Sequence, residues 1–160
     1  MGALLLCFTK GETPVRLTSE LTSGYEEIDG QHRLLLERLD AVVRAAEADE
    51  LPRVTETLGV LGDYLVSHFQ AEEWLMAESA YPERVRHKNA HDLFMQDFAQ
   101  LGHELAAAGL SPHVLTWIGT RLPEWLKFHI QVNDLPLGRY LTNRRFRPSP
   151  AARADKPHAS

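Results

Sequence analysis

Residues 58–76 read LGVLGDYLVSHFQAEEWLM, and their spacing decides the fold. Leu58, Leu61, Leu65, His68, Glu72 and Met76 recur at steps of three and four, the repeat that lines one face of an α-helix. Two of the six, His68 and Glu72, break the apolar character of that face. Four residues turn an α-helix by about 400°, so this pair stands about 40° apart on the buried side. An imidazole and a carboxylate placed in an apolar core are costly unless other groups satisfy them. The partners have to come from other helices.

Working outward, the chain supplies three more such faces. Upstream, Ile28, His32, Leu35, Leu36, Leu39, Val42 and Val43 mark a helix at about 22–48; the quoted stretch itself lies in a helix at about 53–79. Downstream, His87, His91, Phe94, Phe98, Leu101 and Leu105 mark a helix at about 83–108. Leu115, Ile118, Leu122, Trp125, Leu126 and His129 mark a last one at about 112–132. Pro52, Pro82 and Pro112 each follow a break signal and read as helix starts, since proline is favoured in the first turn. No stretch alternates as a strand does. The expected fold is all-α, an up-down-up-down antiparallel four-helix bundle over residues 17–141, with an arm at 1–16 and a basic tail at 142–160. Pro123, inside the last helix, predicts a kink or a loosened turn.

Composition narrows the chemistry. The chain has 160 residues, 44% of them hydrophobic, with a net charge of −5. Arg144, Arg145, Arg147, Arg153 and Lys156 against Asp155 give residues 142–160 a net +4 and leave −9 on the rest. An acidic body argues against nucleic-acid binding, while the tail reads as a flexible extension open to a protein partner. No run approaches the roughly eighteen apolar residues of a membrane span, and Met1–Phe8 lacks the cationic start of a secretory signal, so a cytoplasmic protein is expected. A single cysteine, Cys7, excludes thiolate-ligated zinc and iron–sulfur sites and reads as buried filler. Eight histidines stand out beside it.

Five of the eight share a level. His32 and His68 each lie about 18 residues from the turn near 50, His91 and His129 lie 18 and 20 from the turn near 109, and Glu72 and His91 lie nine and ten from the turn near 81. At about 1.5 Å per residue these positions arrive at one height in the bundle. Asp134 is harder to place. Five residues after His129, on an unbroken helix it points about 140° away. Asn133 and Pro136 predict that the helix ends there, with a distorted last turn swinging Asp134 inward. His103, His113 and His158 fall off these faces and are expected in solvent.

His32, His68, Glu72, His87, His91, His129 and Asp134 buried together would strand two carboxylates in an apolar core, and a metal supplies the missing positive charge. Seven ligands are too many for one tetrahedral zinc and too nitrogen-rich for magnesium or calcium. They suit two six-coordinate ions bridged by both carboxylates, with one position left open for a ligand.

The run Gly24, Ile28-Asp29, Gln31-His32, His68-Phe69, Glu72-Glu73, Met76, Tyr81-Pro82, His87, His91, Phe94, Trp125-Leu126, His129-Ile130 and Asp134 closely resembles the bacterial hemerythrins, over about residues 17–137. The resemblance implies a non-haem centre of two iron ions, oxo- or hydroxo-bridged, that binds dioxygen reversibly. It implies that His87, His91 and His129 hold the saturated iron and His32 and His68 the open one. Glu72 and Asp134 would bridge, Glu73 would stand behind the ligands, and Trp125, Leu126 and Ile130 would line the oxygen pocket. Leu17 departs from the family pattern, which usually has tryptophan there. The function expected is oxygen carriage, storage or sensing rather than catalysis. A di-iron enzyme, acting as peroxidase, nitric oxide scavenger or ferroxidase, is the alternative, and a metal-free bundle the third reading.

Overall fold

A computed structural model describes residues 18–149 and 152. Cys7, Leu17, His158 and the arm at 1–16 lie outside them. After a short 3₁₀ turn at Ser19–Leu21 come three unbroken helices, α1 (Glu26–Glu47), α2 (Leu51–Glu78) and α3 (Arg84–Ala108). A fourth helical arm follows in five consecutive segments: α4 (Pro112–Thr116), a π turn at Trp117–Arg121, α5 (Leu122–His129), a second π turn at Ile130–Asp134, and α6 (Leu135–Asn143). The arms alternate in direction and form the expected antiparallel four-helix bundle. None of these helices is long and apolar enough to cross a membrane.

The start of α1 is later than the apolar repeat predicts, at Glu26 rather than near residue 22. Gly24 has φ +84°, outside the helical region. The Asp29 carboxylate, buried, accepts from the Ser23 amide (2.8 Å), the Ser23 hydroxyl (2.8 Å) and the Gly24 amide (3.0 Å), which holds residues 23–24 as an entry loop. That loop presses on α6, where a Cβ at Gly138 would fall 2.3 Å from Ser23. Pro52 lies in the first turn of α2 and Pro112 opens α4, whose Ser111 cap accepts from the Val114 amide. Pro82 instead sits in the turn just before α3.

The fourth arm corrects one expectation. The chain does not stop being helical near 132; it continues to Asn143. Two turns widen instead: the Leu122 amide donates to the Trp117 carbonyl, and the Leu135 amide to the Ile130 carbonyl, each five residues back. Both widened turns run directly into a Leu-Pro pair, Leu122-Pro123 and Leu135-Pro136. Proline has no N–H for the carbonyl four residues back, and its ring crowds that carbonyl. A wider turn relieves the clash without ending the helix. The loosened turn expected at Pro123 is therefore present, and a second accompanies Pro136.

Along the bundle the core changes character twice. One end is filled by Leu35, Leu39, Leu61, Leu65, Leu101 and Ile118, among others, all buried. The other end is filled by Ile28, Leu75, Met76, Leu137 and Leu141. Each fully buried aliphatic side chain of this kind contributes about 2 kcal/mol. Between the two apolar layers lies one polar layer.

Candidate metal centre

Each arm supplies the polar layer from the position its local geometry dictates. α1 brings His32, α2 brings His68 and Glu72 one turn apart, and α3 brings His87 and His91 one turn apart. His129 ends α5, and Asp134 ends the second π turn. In that turn the backbone closes after five residues instead of four, so side chains five apart return to one side. The Asp134 Oδ1 thus lies 3.1 Å from His129 Nε2, which an unbroken α-helix would forbid. All seven residues are at most 2% exposed. His103 and His113 are exposed, as expected.

The donor atoms converge. His32 Nε2 donates to Asp134 Oδ2 at 3.1 Å. His87 Nε2 lies 3.0 Å from Asp134 Oδ1, and His68, His87 and His91 Nε2 lie 3.7, 3.4 and 3.2 Å from Glu72 Oε2. Among the described residues the ligand atoms fall into two groups, each within 4.8 Å internally. One is Glu72, His87, His91, His129 and Asp134; the other is His32, His68, Glu72 and Asp134. Both carboxylates belong to both groups.

The chemistry of this set fits a metal. Both Glu72 oxygens, Asp134 Oδ1 and Nε2 of His68, His87, His91 and His129 are buried without a hydrogen-bond partner among the described residues. Seven orphaned polar atoms aimed at one another would be expensive if nothing sat among them. Without metal the layer balances its charge with protons. Burial disfavours the charged form of His87, but its closeness to Asp134 and Glu72 outweighs that and raises its pKa to about 10. Burial likewise opposes charging of His32, and its hydrogen bond to Asp134 carries the net shift upward. His68 goes the other way, down to about 4, because burial dominates. Burial would raise both carboxyls, and the charge of Asp134 would raise that of Glu72 further, yet the surrounding imidazoles hold both well below the ordinary range.

Behind the donor atoms stand Glu73, expected there from the resemblance, and Gln31 and Asn133, whose roles are not read from the sequence. His68 Nδ1–H donates to Gln31 Oε1 at 2.9 Å and His91 Nδ1–H to Glu73 Oε1 at 3.2 Å, while the Asn133 amide lies 3.2 Å from His129 Nδ1. Phe69 stacks on His91 with ring centres 3.9 Å apart. Trp125 stacks on His129 at 4.6 Å and on Phe94 at 3.6 Å. Leu126 belongs to the large apolar layer, and Ile130 packs in a small cluster with Leu21 and Leu135. Gln31 lies 37 residues before His68. Its sequence signals are its place in the Gln31-His32 pair of the family run and its position beside a ligand on the edge of an apolar stripe.

A four-arm helical bundle enclosing a buried, histidine-rich, carboxylate-linked donor set is a metal-binding bundle protein. Comparison with known proteins gives the family. Residues 23–140 match the hemerythrin HHE cation binding domain. The chain is 32% identical over 115 residues to a bacteriohemerythrin of Stenotrophomonas maltophilia, covering 72% of this chain and 73% of that one. It is 33% identical over 127 residues to a hemerythrin-like protein of Naegleria gruberi, covering 77% and 90%. A crystal structure of a hemerythrin mutant superposes with a TM-score of 0.71 at 22% identity, covering 80% of this chain and 96% of that one. The chain belongs to the hemerythrin family.

Proposed function

We propose that this protein binds dioxygen reversibly at a pair of non-haem iron ions, as an oxygen carrier, store or sensor rather than an enzyme. In this reading His87, His91 and His129 hold one ion and His32 and His68 the other, with Glu72 and Asp134 shared. The observation that carries it is the division of seven buried donors into a three-histidine and a two-histidine group with both carboxylates in common. Histidine-rich donors suit iron, whereas ferroxidase and oxygenase bundles build their centres mostly from carboxylates. The pair, when bound, supplies the electrons that hold dioxygen.

The chain's own residues do the rest. The two-histidine group has fewer donors, so an external ligand belongs on that side. Trp125, Leu126 and Ile130 are the apolar residues assigned to line the ligand's pocket; Trp125, flat against His129, also keeps that ring from turning. The apolar layers above and below exclude water, and an environment without a spare acid near the ligand favours its release unchanged. For His129 Nε2 to face a metal, Nδ1 must carry the proton, and the Asn133 amide is then turned with Oδ1 toward it. The protein is expected in the cytoplasm, with its basic tail available to a protein partner.

The test is anaerobic loading with ferrous iron followed by air. Two ions per chain and a visible charge-transfer band that vanishes on deoxygenation are expected. Immediate irreversible oxidation with turnover of peroxide would replace this reading by the enzymatic one.

A further inference from the structure

The five imidazoles are not held alike. In the three-histidine group two rings have an outer partner, Glu73 behind His91 and Asn133 beside His129. The buried Nδ1 atoms of His87 in that group and of His32 in the two-histidine group have no hydrogen-bond partner among the described residues. Orientation of that group falls to His68, and there to one contact, the Gln31 Oε1 that accepts from His68 Nδ1–H at 2.9 Å. The Gln31 backbone is tied to α2, where the Tyr64 hydroxyl donates to its carbonyl at 3.3 Å, and the Arg38 guanidinium of α1 lies 4.1 Å over the Tyr64 ring. His32 meets His68 edge-on at 5.2 Å, so a ring held at His68 limits the other as well.

We infer that Gln31 is a positioning residue that makes the two-histidine group competent to hold its ion, by fixing the tautomer and rotation of His68. A neutral imidazole can carry its proton on either nitrogen, and only the Nδ1–H form leaves the Nε2 lone pair for a metal. With its oxygen toward the ring, as it stands here, Gln31 accepts from Nδ1–H and so pairs with that form. It also differs from Glu73 in charge. A carboxylate behind an imidazole makes the ring a stronger donor, whereas an amide leaves it weaker. The ion on the Gln31 side is thereby the more electron-poor of the two, which suits the side that has fewer donors. This inference rests on the paired-ion reading proposed above.

The experiment titrates the full chain with ferrous iron under anaerobic conditions, counts ions, and follows their removal by a chelator and their midpoint potential. Wild type should hold two ions that leave in two phases. Gln31→Ala should weaken one ion by roughly 10–100-fold and leave the other unchanged. Gln31→Glu should keep both and move the midpoint potential downward, because an anionic acceptor favours the more oxidised ion. Tyr64→Phe, which keeps the acceptor, should keep two ions. If wild type holds fewer than two, the paired-ion reading fails and the inference with it. If wild type holds two, and Gln31→Ala either holds both with unchanged affinity or weakens both equally, Gln31 is structural only and the inference alone is overturned. An unchanged potential in Gln31→Glu overturns it too.

Discussion

The first three helices and the fourth arm deliver polar side chains to the same layer by different means. In α2 and α3 the pairs His68/Glu72 and His87/His91 are four residues apart, and an unbroken helix suffices. In the fourth arm His129 and Asp134 are five apart, and a π turn has to close the difference. A regular helix ties ligand spacing to helical register, so any change in count between two ligands moves one of them off the face. A π turn holds one extra residue without disturbing the helices on either side. The fourth arm is therefore expected to tolerate a change of length where α3 is not.

The largest effects come from attacking that difference at the ligands. Deleting Asn89, between His87 and His91, rotates one ligand by about 100° relative to the other and should abolish loading of the three-histidine group, read by iron stoichiometry. Asp134→Ala removes an oxygen common to both groups and should cost both ions in the same assay. Leu61→Ala, in the apolar layer away from the centre, should lower stability by about 3 kcal/mol in chemical denaturation while two ions still bind. Loss of iron in that variant would mean the apolar and polar layers are not separable.

The metal-free protein should be most stable near pH 6.5. The folded His68 pKa of about 4 lies below its ordinary value of 6.5, so the unfolded chain takes up that proton first. Stability then falls by about 3 kcal/mol as pH drops through that window. Glu72 and Asp134, held low, add loss at still lower pH. His87 acts oppositely. Its stabilisation is full below 6.5 and is lost as pH rises toward about 10, and the raised His32 adds to it. Melting temperature against pH checks this, and a flat profile would show that the layer does not hold its protons as described.

Smaller still is the expected effect of deleting Gln131, exposed within the second π turn. That turn should collapse to an ordinary α turn with both ligands still inward, leaving iron loading intact and stability changed by about 1 kcal/mol. Loss of iron there, matching the Asn89 deletion, would abolish the contrast between the arms. Smallest is Ala80→Gly. Ala80, just past the end of α2, has φ 52° where the Tyr81 amide bonds back to the Met76 carbonyl, a backbone that suits glycine better. A gain of about 0.5 kcal/mol is expected, offset in part by the looser unfolded chain.

The amino-acid sequence by itself determined the four helices, their alternation and the level of the histidines. Those depend on the 3.6-residue repeat and on proline placement, both local properties. His68, Glu72, His87 and His91 were legible because their spacing needs nothing beyond a regular helix. Asp134 was placed inward for a reason that proved incomplete: Asn133 and Pro136 looked like a helix end. Whether a proline stops a helix or widens it depends on what the following residues can bury, and Leu137 and Leu141 have an apolar layer to enter. Only the tertiary structure decided that, as it decided the contacts of Gln31, Asn133 and Trp125 with the ligand rings. Gln31 and His68 belong to different arms, Asn133 and His129 meet across a non-standard turn, and the stacking of Trp125 on His129 within α5 depends on ring angles that the spacing of four does not set. Their geometry is set by packing, which the local repeat does not encode.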